Sequence, residues 1–265
     1  MWNLIYGSAQ GTSHRWNGQP CQDYGIALVV ATASGPVLIA ACADGAGSAD
    51  RSDVGARLAV ETFIANVDNA LAKGRLDPTA IDHDALRAWN AAARLRIETE
   101  AKSLGINVRQ LACTLLTAVV GPTSAAFSQI GDGAIVLDGP QGYEFVFWPD
   151  SGEYVNTTRF LTDSDFDRHV RFDRIHRTVR DIAILTDGLQ MLALSYAEGR
   201  VHERFFKPMF EALRAAPTGE SLRGSLDAFL DSERVNERTD DDKTLVLATY
   251  KPTTDNAPPC ITATD

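Results

Sequence analysis

Apolar and polar positions along this chain change period several times, and each change marks an element. Residues 1–8 alternate large side chains at Trp2, Leu4 and Tyr6, which predicts a strand, followed by a Gly-Thr-Ser-His turn and a polar loop through Asn17-Gly18. Residues 24–30 and 37–43 predict two strands joined by a turn at Gly35-Pro36. An antiparallel pair of that kind brings Asp23 and Asp44, one before the first strand and one after the second, to neighbouring strand ends. From Asp53 the period becomes helical, with Val60, Ile64, Val67 and Leu71 on one stripe and Gly74 closing it. A second helix over 83–104 carries Leu86, Trp89, Ala93, Ile97 and Ala101 on one face, with Asp82 as cap and Gly105 as stop. Two consecutive amphipathic helices of this length imply a sheet beneath them.

Short apolar runs over 111–120, 125–130 and 134–137, separated by Gly121-Pro122 and Gly131-Asp132-Gly133, predict a strand meander, with a further strand over 143–148. Residues 149–177 are charge-mixed and predict a surface excursion around one short strand at 158–161. Residues 181–186 predict a buried strand that ends at Asp187-Gly188, the same grammar as residues 39–45. Helices are expected over 188–197, 203–215 and 221–231, and a last strand over 244–249 follows Asp240-Asp241-Asp242-Lys243. One domain over 1–250 is expected, with 251–265 as a Pro/Thr-rich disordered tail.

Composition changes this picture mainly by exclusion. Hydrophobic residues make up 45% and charged residues 23%, the balance of a soluble globular chain. A net charge of −10 without a basic run argues against nucleic acid and anionic membrane as partners. Cys21, Cys42, Cys113 and Cys260 are scattered without ligand spacing, so neither a disulfide framework nor a structural zinc is indicated. No leader-like start and no apolar run of membrane-spanning length is present, so a cytoplasmic location is expected.

The candidate chemistry is acidic. Asp23, Asp44, Asp132, Asp187 and Asp241, the last flanked by Asp240 and Asp242, all stand at expected strand ends. Either each is a solvated turn residue, or they converge. If they converge, their mutual repulsion calls for divalent cations held by oxygen ligands alone, meaning Mg²⁺ or Mn²⁺. Ser52-Asp53 reads as a helix cap, and His169 and His176 as surface residues.

The ordered set GTSH…PCQDYG, ACADGAGS, CTLLTAVV…QIGDGAIVL, AILTDGL and DDDKTLVL resembles the successive motifs of the metal-dependent protein phosphatases of type 2C, in particular their compact bacterial branch. The resemblance runs from Gly7 to Tyr250. It implies an α+β fold, a four-layer α-β-β-α sandwich of two antiparallel sheets flanked by helix pairs. It implies a serine/threonine protein phosphatase that hydrolyses phosphoserine and phosphothreonine with a hydroxide bridging two Mg²⁺ or Mn²⁺ ions, with a weaker third ion. By the same resemblance Asp44 bridges the two metals, the Gly45 carbonyl binds the second, and Asp187 and Asp241 complete the first. Asp23 holds a metal-bound water or lies just outside the ligands, and Asp132 joins Asp187 at the third site. Partners implied are a phosphorylated protein substrate and a cognate serine/threonine kinase, and a monomer is expected.

The chain departs from the family pattern in places. The arginine that grips phosphate in eukaryotic members falls near Gly18, where only Arg15 and His14 offer a cation; Arg15 is the candidate for phosphate and His14 for proton donation. Gln22 precedes the first aspartate, Ala46 stands where some members have histidine, and Asp241-Asp242 replaces an Asp-Asn pair. The missing arginine and the long excursion keep a second reading open, a catalytically silent phosphatase-fold binding module. The full set of carboxylates favours an enzyme, since their repulsion destabilises a metal-free fold.

Overall fold

The run over 37–43 is apolar at every position because it serves two different neighbours. In the computed structural model, which describes residues 1–251 except 75, 149–157 and 197, it lies in a strand buried on both faces. Val37, Ile39, Ala41 and Ala43 pack outward against helices, while Leu38, Ala40 and Cys42 pack inward against a second sheet. Covering both faces erases the alternation that a half-exposed strand shows.

The chain opens with β1 (Trp2–Ala9), α1 (Thr12–Asn17), β2 (Tyr24–Thr32) and β3 (Gly35–Ala43), followed by the long helices α2 (Ser52–Ala72) and α3 (His83–Leu104). Six strands come next: β4 (Leu115–Val120), β5 (Ala125–Ile130), β6 (Ala134–Gly139), β7 (Gly142–Phe145), β8 (Arg171–Ile175) and β9 (Asp181–Leu185). The chain then forms α4 (Gln190–Ala193), β10 (Leu194–Ser195), β11 (Arg200–Val201), α5 (Glu203–Ala215), α6 (Arg223–Leu230), α7 (Glu233–Asn236) and β12 (Lys243–Tyr250). The large sheets run β1-β12-β9-β6-β7 and β2-β3-β4-β5-β8, every pairing antiparallel. One apolar cluster joins α2 and α3 to the second sheet, one lies between the sheets, and one joins the first sheet to the helices after β9. This is the four-layer α-β-β-α sandwich expected.

Register then decides where the loops go. Tyr24 pairs with Ala43, Leu115 with Ile130, Ala134 with Leu185, and Leu185 with Leu245. These pairs all lie at one end of the sandwich, so the segments carrying Asp23, Asp44, Asp132, Asp187 and Asp241 open onto the same space.

Several expected elements differ. Residues 12–17 form a short helix, ended by Gly18 at φ 68°, where a turn and loop are expected, because the αL glycine turns its own N–H onto the Arg15 carbonyl and the Gln19 N–H onto the His14 carbonyl. Residues 158–161 form no strand; β8 at Arg171–Ile175 is the strand of that region. Its charged positions hide the period because it is an edge strand with little buried face. The helix expected over 188–197 is a 3₁₀ turn at Asp187–Leu189, the four-residue α4 and the β10–β11 hairpin. Ser52 does not cap α2: the cap position is Arg51, and the Ser52 hydroxyl donates to the Ala49 carbonyl. The Asp82 cap and the Gly105 stop are as expected. Cys21, Cys42 and Cys113 are free thiols, and no helix among the described residues is long and apolar enough to cross a membrane. The tail beyond residue 251, with Cys260, lies outside the described residues.

Gly55 is the point where α2 meets the turn that precedes β4. A Cβ there would lie 2.0 Å from the Leu111 carbonyl oxygen. Gly55→Val is therefore expected to cost about 1–3 kcal/mol by overpacking, read as a lower urea midpoint at unchanged slope.

Candidate active site

Asp44 leaves the end of β3 with its backbone fixed on both sides. Its N–H donates to Thr114 Oγ1 at 2.8 Å and its carbonyl accepts from the Thr114 N–H at 2.8 Å. Gly45 continues this as an isolated bridge to Cys113, and a Cβ at Gly45 would meet Ser52 Cβ at 2.7 Å and the Gln22 carbonyl at 2.8 Å. Only glycine fits where three segments meet so closely.

Asp44, Asp132 and Asp187 each offer a carboxylate oxygen within 4.8 Å of the others. Asp132 comes from the β5–β6 turn, where its Oδ2 accepts from Thr158 Oγ1 at 2.7 Å and its carbonyl from the Gln190 amide. Asp23 is buried, and its Oδ2 accepts from Thr186 Oγ1 at 2.6 Å. Thr186 in turn accepts the Thr244 N–H at 2.9 Å, so one hydroxyl ties the starts of β2 and β12 to the end of β9.

The three consecutive aspartates before β12 face different surroundings. Asp240 is exposed. Asp241 is half-buried, and its charge acts on both Asp44 and Asp187. Asp242 is buried behind them, accepting from the Gly11 N–H, the Gln22 N–H and, at 2.8 Å, pairing with His14 Nδ1. His14 is thus held by Asp242, and Arg15 pairs with Asp231 at 2.8 Å and with the Gln10 carbonyl; neither joins the close carboxylate cluster.

Burial and mutual repulsion raise the proton affinity of this cluster. Burial, then Asp132 and Asp241, push the Asp187 carboxyl up to about 7. Burial and the neighbouring aspartates, Asp23 first, hold Asp44 well above the usual carboxylate range. Asp23 is likewise raised, by burial first and then by Asp242 and Asp187 against the bond from Thr186. Asp241 moves the same way, by burial foremost. No lysine or arginine is a leading influence on Asp23, Asp44 or Asp187.

The buried Oδ1 atoms of Asp23 and Asp132 have no hydrogen-bond partner among the described residues. Unpaired carboxylate oxygens with no lysine or arginine close by among the described residues fit a divalent cation with oxygen ligands. The donor set is all oxygen, which excludes soft thiophilic metals on chemistry alone.

A sequence model described as protein phosphatase 2C matches residues 10–231. The chain belongs to the protein phosphatase 2C family. It is accordingly a phosphoprotein phosphatase of a metal-dependent family. A relative named serine/threonine-protein phosphatase 3, from Escherichia coli (strain K12), is 37% identical over 252 residues, 94% of this chain and 98% of that protein. The fold resembles that of a bacterial serine phosphatase, with a TM-score of 0.63 at 15% identity over 96% of this chain and 99% of the other. Serine/threonine phosphatase Stp1 from Staphylococcus aureus matches with a TM-score of 0.60 at 15% identity, over 95% of this chain and 96% of that one.

For a phosphatase of this family the sequence leaves some supporting residues unread. Thr114, Thr186 and Asp242 touch the acidic residues or the loops that carry them; Asp242 was marked by its run of three aspartates and Thr186 by its place directly before Asp187-Gly188, while Thr114 carried no such mark. Thr186→Val keeps the shape and removes the bonds to Asp23 and from Thr244. It is expected to weaken Mn²⁺ binding by about 10–100-fold, the scale of lost outer-shell support, measured by calorimetric titration of the folded variant.

Proposed function

We propose that this phosphatase hydrolyses phosphoserine and phosphothreonine in proteins, using two Mg²⁺ or Mn²⁺ ions and a weaker third held by the acidic cluster. The observation that carries the reading is the approach of Asp44, Asp132 and Asp187 within 4.8 Å beside unpaired buried oxygens of Asp23 and Asp132. The 37% identical relative supports the serine/threonine assignment by its name.

Asp44 would help hold both of the first two ions, being the carboxylate on which the charges of Asp23, Asp132, Asp187 and Asp241 all act. The Gly45 carbonyl would help hold the second ion, Asp187 and Asp241 the first, and Asp132 with Asp187 the third. Divalent cations bound there would supply a water acidic enough to attack phosphorus at neutral pH and would offset charge on the phosphoryl oxygens. The carboxylates set the cations' positions and release their protons as the cations bind. Asp23, gripped by Thr186, orients water at the edge of the site. His14, paired with Asp242 through Nδ1, is oriented by that carboxylate and would donate a proton to the leaving oxygen from Nε2. Arg15 would grip phosphate by exchanging the exposed Asp231 carboxylate for it. A cognate serine/threonine kinase, a monomeric state, a cytoplasmic location and a domain limit near residue 250 complete the proposal.

The test is turnover of p-nitrophenyl phosphate and of phosphoserine and phosphothreonine peptides with Mn²⁺, with and without chelator. Activity is expected only with metal, and Asp187→Ala is expected to abolish it. Metal-independent or absent turnover in pure folded protein would sink the enzymatic reading and leave a binding module.

A further inference from the structure

The two outer helical layers are built differently. Helices α2 and α3 pack along one another, whereas α5 and α6 rest mainly on the strands beneath them. Between α5 and α6 lies a groove of about 590 Å³, within the usual range for small-molecule sites. Its floor includes Ile5 of β1 and Leu247 of β12, and its walls include Phe205, Met209, Leu226 and Phe229. Pro208, inside α5 and on the groove, removes the helical bond to the Arg204 carbonyl and so loosens the first turn of that helix.

The polarity of the groove is graded along its length. Phe205 meets Phe229 at 6.0 Å between ring centroids, so the start of α5 lies beside the end of α6. Arg204 at the start of α5, His202 just before it and Arg234 of α7 therefore gather at one end. The other end, at Ala212, Leu213 and Leu222, is apolar. Among the described residues no Asp or Glu lines the groove, in a chain whose net charge is −10. Arg204 and Arg234 are exposed and have no ion-pair or hydrogen-bond partner among the described residues. The thirteen residues of α5 give the groove a length of roughly 20 Å.

We propose that the α5–α6 groove binds a long-chain fatty acid, its carboxylate between Arg204 and Arg234 and its alkyl chain over Met209 and Leu226. An apolar trough closed at one end by two unpaired guanidiniums matches an anionic head on an aliphatic tail. The site is separate from the acidic cluster, so its test does not depend on the phosphatase reading.

The experiment is calorimetric titration of the full chain with palmitate below its micelle concentration. One saturable site per chain is expected. The double variant Arg204→Glu/Arg234→Glu, whose exposed side chains leave folding intact, is expected to bind palmitate at least tenfold more weakly. Hexadecanol, which lacks the carboxylate, is expected to lose affinity for the native chain to the same degree, and Ser225→Trp, which fills the trough, to abolish palmitate binding. Absence of saturable binding, or binding indifferent to charge reversal and to filling, overturns the proposal. A dimer in sedimentation that Met209→Asp splits, with no palmitate bound, assigns the groove to a second copy of the chain and overturns it equally.

Discussion

Asp44→Asn is expected to lower metal-dependent phosphatase activity by about 10³-fold or more, the scale on which loss of one preorganised electrostatic partner is felt. The same change is expected to raise the melting temperature of the metal-free chain. Both follow from one position: Asp44 carries the repulsion of Asp23, Asp132, Asp187 and Asp241, and asparagine keeps its shape without the charge. The backbone clip to Thr114 is independent of the side chain, so the variant should fold normally. Activity from initial rates under saturating Mn²⁺, and melting with chelator present, read the two effects separately. A variant that loses activity and also melts lower without metal would show that Asp44 acts as a packing residue.

The second large effect is a reversal in the pH dependence of stability when metal is added. An unfolded aspartate titrates near 3.9. In the folded chain Asp187 is pushed up to about 7, and Asp23, Asp44 and Asp241 are raised. Between about pH 4 and 7 the folded state therefore holds more protons than the unfolded state, and this cluster's contribution to metal-free stability falls as pH rises. Cations displace those protons, so Mn²⁺ affinity should rise over the same interval. At a free concentration of about a hundred times Kd, a single site adds about 2.7 kcal/mol. At roughly 2–4 °C per kcal/mol for a chain of this size, the melting temperature should rise by about 5–10 °C at pH 7.5. The shift should shrink toward pH 5. A metal shift independent of pH would mean that the cation binds away from these carboxylates.

Much of this architecture was legible before the fold was known. Paired hydrophobic runs with glycine turns marked β2 and β3, and a four-three-four spacing marked α2. Asp82 and Gly105 marked the ends of α3 by satisfying backbone groups that every helix leaves open. Edge and short elements were not legible. In β8 a charge at Arg171, Asp173 and Arg174 costs little because the strand lies at the sheet edge, so selection for burial leaves almost no pattern. In residues 188–197 the helical spacing is real but its continuation yields to the β10–β11 pairing, a contact between residues that no local period encodes.

The acidic site divides in the same way. The sequence by itself determined which carboxylates stand at strand ends, and the order of those motifs carried the family resemblance. Tertiary structure decided their distances, grouping Asp44, Asp132 and Asp187 most closely. It also separated three adjacent aspartates by burial, exposing Asp240, turning the charge of Asp241 toward Asp44 and Asp187, and enclosing Asp242 among the Gly11 and Gln22 N–H groups and His14. The reason is that residue type fixes what a side chain can bind, while strand register and the packing of two sheets fix what comes within reach of it.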